Sequence, residues 1–217
     1  MTIAATTAIT RDAPYERAST ALLLVDMQRI FAEPGLDPAH PEMGAEHPFY
    51  RTLAERVIPN QVALLDAARA AGVQVIHTII QALTEDGRDC SLDHKLSGIV
   101  VSRSAPEGAI IDALAPVTNE IVLPKTSSGV FNSTNIDYVL RNLGIRTLIV
   151  AGIVTDQCVD MAVRDAADRG YLVTCVRDAC ATYTQARHEA ALAAFGGYCW
   201  IADTRTVLAR LEALRHA

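Results

Sequence analysis

Nothing in this sequence resembles a membrane span, a disulfide framework or a nucleic-acid-binding surface. The longest apolar runs, around Ala21–Val25 and Leu148–Ile153, fall far short of the ~18 residues a transmembrane helix needs. The first nineteen residues are polar and rich in Ala and Thr, without the apolar core of a secretion signal. They read as a flexible arm, residues 1–19, ahead of one domain over residues 20–217. The five cysteines, Cys90, Cys158, Cys175, Cys180 and Cys199, are odd in number and include no C-x-x-C pair. That excludes a simple disulfide scaffold and the common zinc spacings, and it points to a reducing, cytoplasmic setting where thiols persist. No basic block offsets the net charge of −6, so nucleic acid and anionic membrane are poor partners and a small-molecule substrate is the better expectation.

What the chain does have is alternation. Its 217 residues are half apolar, with aromatics only 5%, a composition that suits one α/β domain. Continuous apolar runs at 21–25, 73–80, 120–123, 147–151 and 172–176, with a shorter one at 198–202, read as strands buried on both faces. Helical patterns separate them at 53–71, 135–143, 156–169, 186–195 and 204–214, and Gly72, Gly144 and Gly170 punctuate helix ends. Strands alternating with helices predict an α/β fold, a parallel sheet of about six strands with helices on both faces. Two long segments, 31–49 and 81–106, break the rhythm. Both follow strand ends, where open α/β sheets place their sites.

Three polar residues stand at or near such strand ends. Asp26 closes the first run, Lys125 follows Leu123-Pro124, and Cys158 lies in the first turn of a helix after Gly152-Ile153-Val154-Thr155. Singly, an Asp there is often a helix cap, a Lys a solvated side chain and a Cys a small apolar filler. Together they bring a carboxylate, an ammonium and a thiol to one sheet edge. The helix N-terminus and the ammonium favour thiolate, and the carboxylate can accept and return a proton. His77 lies within a strand run and reads as structural, so no Cys–His pair is supported.

The segments Leu24-Val-Asp-Met-Gln28, Leu123-Pro-Lys-Thr-Ser-Ser-Gly-Val-Phe131 and Gly152-Ile-Val-Thr-Asp-Gln-Cys-Val159 together resemble the isochorismatase-like cysteine hydrolases. That family includes nicotinamidase, N-carbamoylsarcosine amidase, biuret hydrolase and ureidoacrylate amidohydrolase. The resemblance runs from Ala21 almost to the end and implies a Rossmann-type sheet. It implies a catalytic triad of Asp26, Lys125 and Cys158, and a cis peptide at Ile153–Val154. It also implies an oxyanion hole from the N–H groups of Val154 and Cys158. The activity implied is cleavage of a C–N bond in a small amide or ureido substrate through a thioester-type intermediate, with no cofactor. Homodimers or homotetramers are the implied assemblies.

Branches of the family stay open. A nicotinamidase-like enzyme, an ester or vinyl-ether hydrolase, a redox-active thiol and a non-catalytic binding member are the alternatives. Cys158 argues against the vinyl-ether branch, which needs no thiol. Asp37, His40 and His47 match the nicotinamidase metal motif poorly in spacing, so no metal is expected. The family's Asn-Asp-Phe after Asp-x-Gln is replaced by Arg29-Ile-Phe31. Expected substrate contacts are Phe31, Gln81, Glu85, Arg88, Phe131, Asn132, Thr155 and Tyr183.

Overall fold

The computed structural model describes residues 9–216. Six strands form one parallel sheet: β1 Thr20–Val25, β2 Gln74–Ile80, β3 Ile121–Lys125, β4 Thr147–Ile153, β5 Leu172–Ala181 and β6 Trp200–Ala202. Their order is β3-β2-β1-β4-β5-β6, so the chain reverses its direction of travel across the sheet on either side of β1. All residues of β1 and β4, the two central strands, are buried. Their sequences can therefore be apolar without alternation.

The helices are α1 Arg29–Ala32, α2 Pro48–Thr52, α3 Ile58–Ala71, α4 Leu92–Leu96, α5 Val130–Ser133, α6 Ile136–Asn142, α7 Asp160–Asp168, α8 Gln185–Phe195 and α9 Thr204–Arg215. Helices α3 and α9 pack on one another, and α3 lies against β1, β2 and β5; α7 packs with α5 and α8 and against β4 and β5. Turns of π-helix at Leu53–Val57 and Thr155–Val159 lead into α3 and α7. Helix α3 ends at Gly72 in the left-handed conformation, as its place in the sequence predicts. None of the helices is long and apolar enough to cross a membrane among the described residues.

Two details differ from the sequence expectation. The 31–49 segment is flanked by helix at both ends, with α2 opening at Pro48 behind a His47 cap, and α4 interrupts the 81–106 segment. Strand β5 runs on to Ala181 rather than stopping at Val176. The polar pair Arg177-Asp178 hides this continuation, because β6 pairs only as far as Val176 and leaves the next residues without that neighbour. Asp178 then caps α9 through the N–H and hydroxyl of Thr204, both at 2.8 Å. Of the predicted arm, residues 1–8 lie outside the described part; Tyr15 is buried and its hydroxyl donates to Thr174 at 3.0 Å.

At Gly152, β4 lies tight against Val25 of β1. The glycine has φ of 139°, and a Cβ there would stand 2.3 Å from the Val25 carbonyl oxygen. Backbone cannot yield as a side-chain tip can. Gly152→Ala is expected to cost roughly 3 kcal/mol or more, read as a lowered urea midpoint; an unchanged midpoint contradicts the close approach.

Buried histidines are expected to make the fold acid-sensitive. Burial depresses the pKa of His77, His94 and His188, reinforced at His94 by Lys125 and at His188 by Arg56 and Arg177. Below the unfolded value near 6.5 the unfolded chain thus binds more protons than the native one, so stability falls as pH falls. Urea midpoints should decline from pH 7.5 to 5.5, and a flat profile contradicts neutral burial.

Candidate active site

At its C-terminal edge the sheet assembles a carboxylate, an ammonium and a thiol. Asp26 leaves β1 in a left-handed conformation, φ 56°, which aspartate tolerates better than most side chains. Its N–H donates to the Thr78 carbonyl at 3.1 Å, and its Oδ1 accepts from the Thr78 hydroxyl at 2.7 Å. The neighbouring strand therefore fixes both backbone and side chain. Gln28 pins the next turn: it accepts from the Ile80 N–H at 2.6 Å and donates to the carbonyls of Ile80 and Gly108, at 3.0 and 2.7 Å.

Lys125, the last residue of β3, is fully buried. Its Nζ lies 2.8 Å from Asp26 Oδ2, 3.4 Å from Cys158 Sγ and 3.1 Å from the Ser127 carbonyl. All three ammonium donors are engaged. Burial alone would lower its pKa, but the Asp26 carboxylate beside it reverses that and raises it, so the side chain stays cationic.

Cys158 sits in the π turn that opens α7, behind a cis peptide between Ile153 and Val154. The sequence argument expected its position to favour thiolate, and the balance of forces is the reverse. Burial pushes the thiol up to about 12; Lys125 pulls it down, and Asp26 pushes it up again. The balance favours a neutral thiol beside a carboxylate, and a thiol in that state acts as a nucleophile only with a base at hand. No sulfur is among the groups acting on it, although Cys175 and Cys180 approach each other deeper in the core.

A narrow cleft of about 360 Å³, including its open mouth, leads to the thiol. Asp26, Cys158, Val154, Phe31 and Tyr183 line it, as do Asp37, Phe49, Ile99 and Gln157. The other predicted contacts lie outside that lining. Glu85 accepts from Ser102 and Ser104, at 2.6 and 2.7 Å, while Arg88 pairs with Asp86. Gln81 reaches toward the Arg103 carbonyl. Phe131 is buried against Tyr171 and under Arg169, with Asn132 exposed beside it. Thr155 is buried and bonds His188 Nδ1 at 2.8 Å. The residues that look metal-like in sequence are separately engaged: His40 with Glu42 at 3.3 Å, His47 at the α2 cap and Asp37 with the Ala39 N–H. No cluster able to hold a metal ion occurs among the described residues.

Sequence reasoning missed Thr78, Gln28, Asp37 and His94. Buried His94 bonds the Ser128 hydroxyl at 3.2 Å and feels the charge of Lys125. Of these, Gln28 carried a signal as part of the Leu24–Gln28 segment, and Asp37 only as a poor match to a metal motif. The rest lie in strands or loops whose partners are set by the fold.

Known proteins resemble this chain in sequence and fold. The isochorismatase domain model matches residues 20–206. Ureidoacrylate amidohydrolase RutB of Agrobacterium fabrum is 35% identical over 180 residues, covering 75% of this chain and 75% of that protein. The Methylobacterium radiotolerans protein of that name is 32% identical over 206 residues, covering 86% of this chain and 77% of its own. Among solved structures, a cysteine hydrolase from Pseudomonas syringae pv. phaseolicola superposes with a TM-score of 0.82 at 27% identity, covering 96% of this chain and all of that one. N-carbamoylsarcosine amidase from Thermoplasma acidophilum shares the fold, with a TM-score of 0.68 at 22% identity over 86% of this chain and 96% of its own. With a family model spanning the whole sheet and relatives matched over most of their length, the chain belongs to the isochorismatase family of hydrolases.

Proposed function

We propose that residues 20–217 form a cysteine amidohydrolase domain that cleaves a C–N bond in a small amide or ureide. The observation that carries this reading is the buried contact of Lys125 Nζ with both Asp26 Oδ2 and Cys158 Sγ, at 2.8 and 3.4 Å, at the floor of a cleft. The activity named for the RutB relatives supports the bond type.

In the mechanism, Asp26 takes the thiol proton as sulfur attacks the carbonyl carbon, and the carbonyl electrons move onto oxygen. The N–H groups of Val154 and Cys158 receive that oxyanion; a preorganised donor of this kind contributes roughly 3 kcal/mol. Collapse of the tetrahedral species breaks the C–N bond, and Asp26 gives its proton to the departing amine. The thioester or thiocarbamate left on Cys158 is hydrolysed by water deprotonated by the same carboxylate. Lys125 holds the charge of Asp26 in place and balances the thiolate as it forms. Phe31 and Tyr183 wall the substrate. The 71% and 80% exposures of Leu92 and Leu96 support association into a homodimer or homotetramer.

Ammonia release from nicotinamide, biuret, N-carbamoyl amino acids and ureidoacrylate-like acids tests the reading. At least one is expected to be turned over, with the acyl fragment trapped on Cys158 by acid quench and seen by mass spectrometry. Silence across the panel, or turnover without such an adduct, counts against it.

A further inference from the structure

Given the amidohydrolase reading of this cleft, its charged lining also restricts the rest of the substrate. Its acidic groups are Asp26 and Asp37, set among Phe31, Phe49, Ile99 and Tyr183. Asp37 is only 4% exposed, and its Oδ1 already accepts the Ala39 N–H at 2.9 Å. Asp37, Tyr183 and the Cys158 thiol line the same cleft, which puts this carboxylate in the neighbourhood of the thiol.

Positive charge is missing from the same surface. No lysine or arginine lines the cleft among the described residues. Lys125 lies behind Asp26 and Cys158 with its three donors engaged. Against the Tyr183 ring, His40 is paired with Glu42 and Arg187 with Asp156. A substrate carboxylate entering here would shed water beside buried negative charge with no free cation to meet it. An N–H group in the same place gains a charge-assisted hydrogen bond to Asp37.

We propose that Asp37 is a substrate-recognition residue, and that the chain acts on amides or ureides whose far end carries N–H donors and no carboxylate. Specificity here is attraction for the N–H group together with repulsion of the acid.

The test compares N-carbamoylglycinamide with N-carbamoylglycine, two small ureides that differ by a terminal amide against a carboxylate. In the wild type, kcat/KM for the amide should exceed that for the acid by at least ~10-fold. Asp37→Asn should shrink that ratio several-fold, mainly through KM. Asp37→Ser, which can also accept the Ala39 N–H, guards against loss of the turn. Ligand-induced shifts in Tm of the Cys158→Ala variant give a second readout that needs no turnover: the amide should stabilise it and the acid should not.

Cys158-dependent release that favours the acid, or a ratio unmoved in both Asp37 variants, overturns the carboxylate exclusion while leaving the hydrolase reading intact. If neither compound is hydrolysed, a Tm shift for the amide alone upholds the recognition, and the amidohydrolase reading then stands or falls on the wider substrate panel. Equal shifts, or none, overturn the recognition.

Discussion

Cys158→Ala is expected to lower turnover by about four orders of magnitude or more while leaving a folded protein. The activity loss follows from covalent chemistry: without sulfur, Asp26 has no nucleophile to deprotonate and no acyl-enzyme can form. The fold survives because the change removes one atom from a well-packed position. Cys158 is buried in the core cluster, but the Asp26–Lys125 pair at 2.8 Å does not pass through it. A stability loss of about 1 kcal/mol is the expected scale. Steady-state ammonia release and a thermal melt, run on both proteins, check the two halves together. Retention of more than a few per cent of turnover would sink the covalent mechanism. A variant that melts as cooperatively as wild type yet turns nothing over would place the loss in the chemistry.

The resting state sharpens this expectation. With its thiol pushed up to about 12, free Cys158 should react sluggishly with iodoacetamide at neutral pH. In the proposed mechanism, nucleophilicity would be switched on by proton transfer to Asp26 once a carbonyl occupies the cleft. This differs from a thiolate-based protease, where the ion pair exists before substrate arrives. The sequence suggested the thiolate picture because helix position and a nearby Lys are visible in it. Burial of all three side chains, and the opposing charge of Asp26, become visible only when three strands are brought together.

The same distinction explains what was legible elsewhere. Strands β1 and β4 could be read directly, because complete burial lets each be one unbroken apolar run. Asp26, Lys125 and Cys158 were legible because each follows such a run within a recognisable segment. Strand β5 was cut short at Val176, since Arg177-Asp178 looks like a turn until Asp178 is seen capping α9. Substrate contacts were the least readable. Glu85 and Arg88 occupy the right loop but are satisfied by Ser102, Ser104 and Asp86. Asp37 attracted notice only as a failed metal motif, yet it lines the cleft. Which face of a long loop turns inward depends on long-range packing, and no local period records it.

The second large effect concerns the buried ion pair, where structure and catalysis can be separated. Lys125→Met leaves the Asp26 carboxylate buried without its cation, an arrangement expected to cost about 3–5 kcal/mol. Asp26→Asn strands the ammonium in the same way, although Ser127 and Cys158 still take two of its donors. Either variant should also lose at least ~100-fold in turnover, because each removes the proposed base or the cation paired with it. The double variant, Asp26→Asn with Lys125→Met, removes both charges at once. It should recover much of the lost stability, since replacing a whole buried pair is far cheaper than breaking it. It should recover none of the activity. Urea midpoints and kcat for the two single variants and the double variant form a complete cycle. Stability that fell additively would show that the two charges do not depend on one another, contradicting the 2.8 Å contact. Activity that returned with stability would mean the pair holds the fold alone, and the general base would then have to be sought in another group.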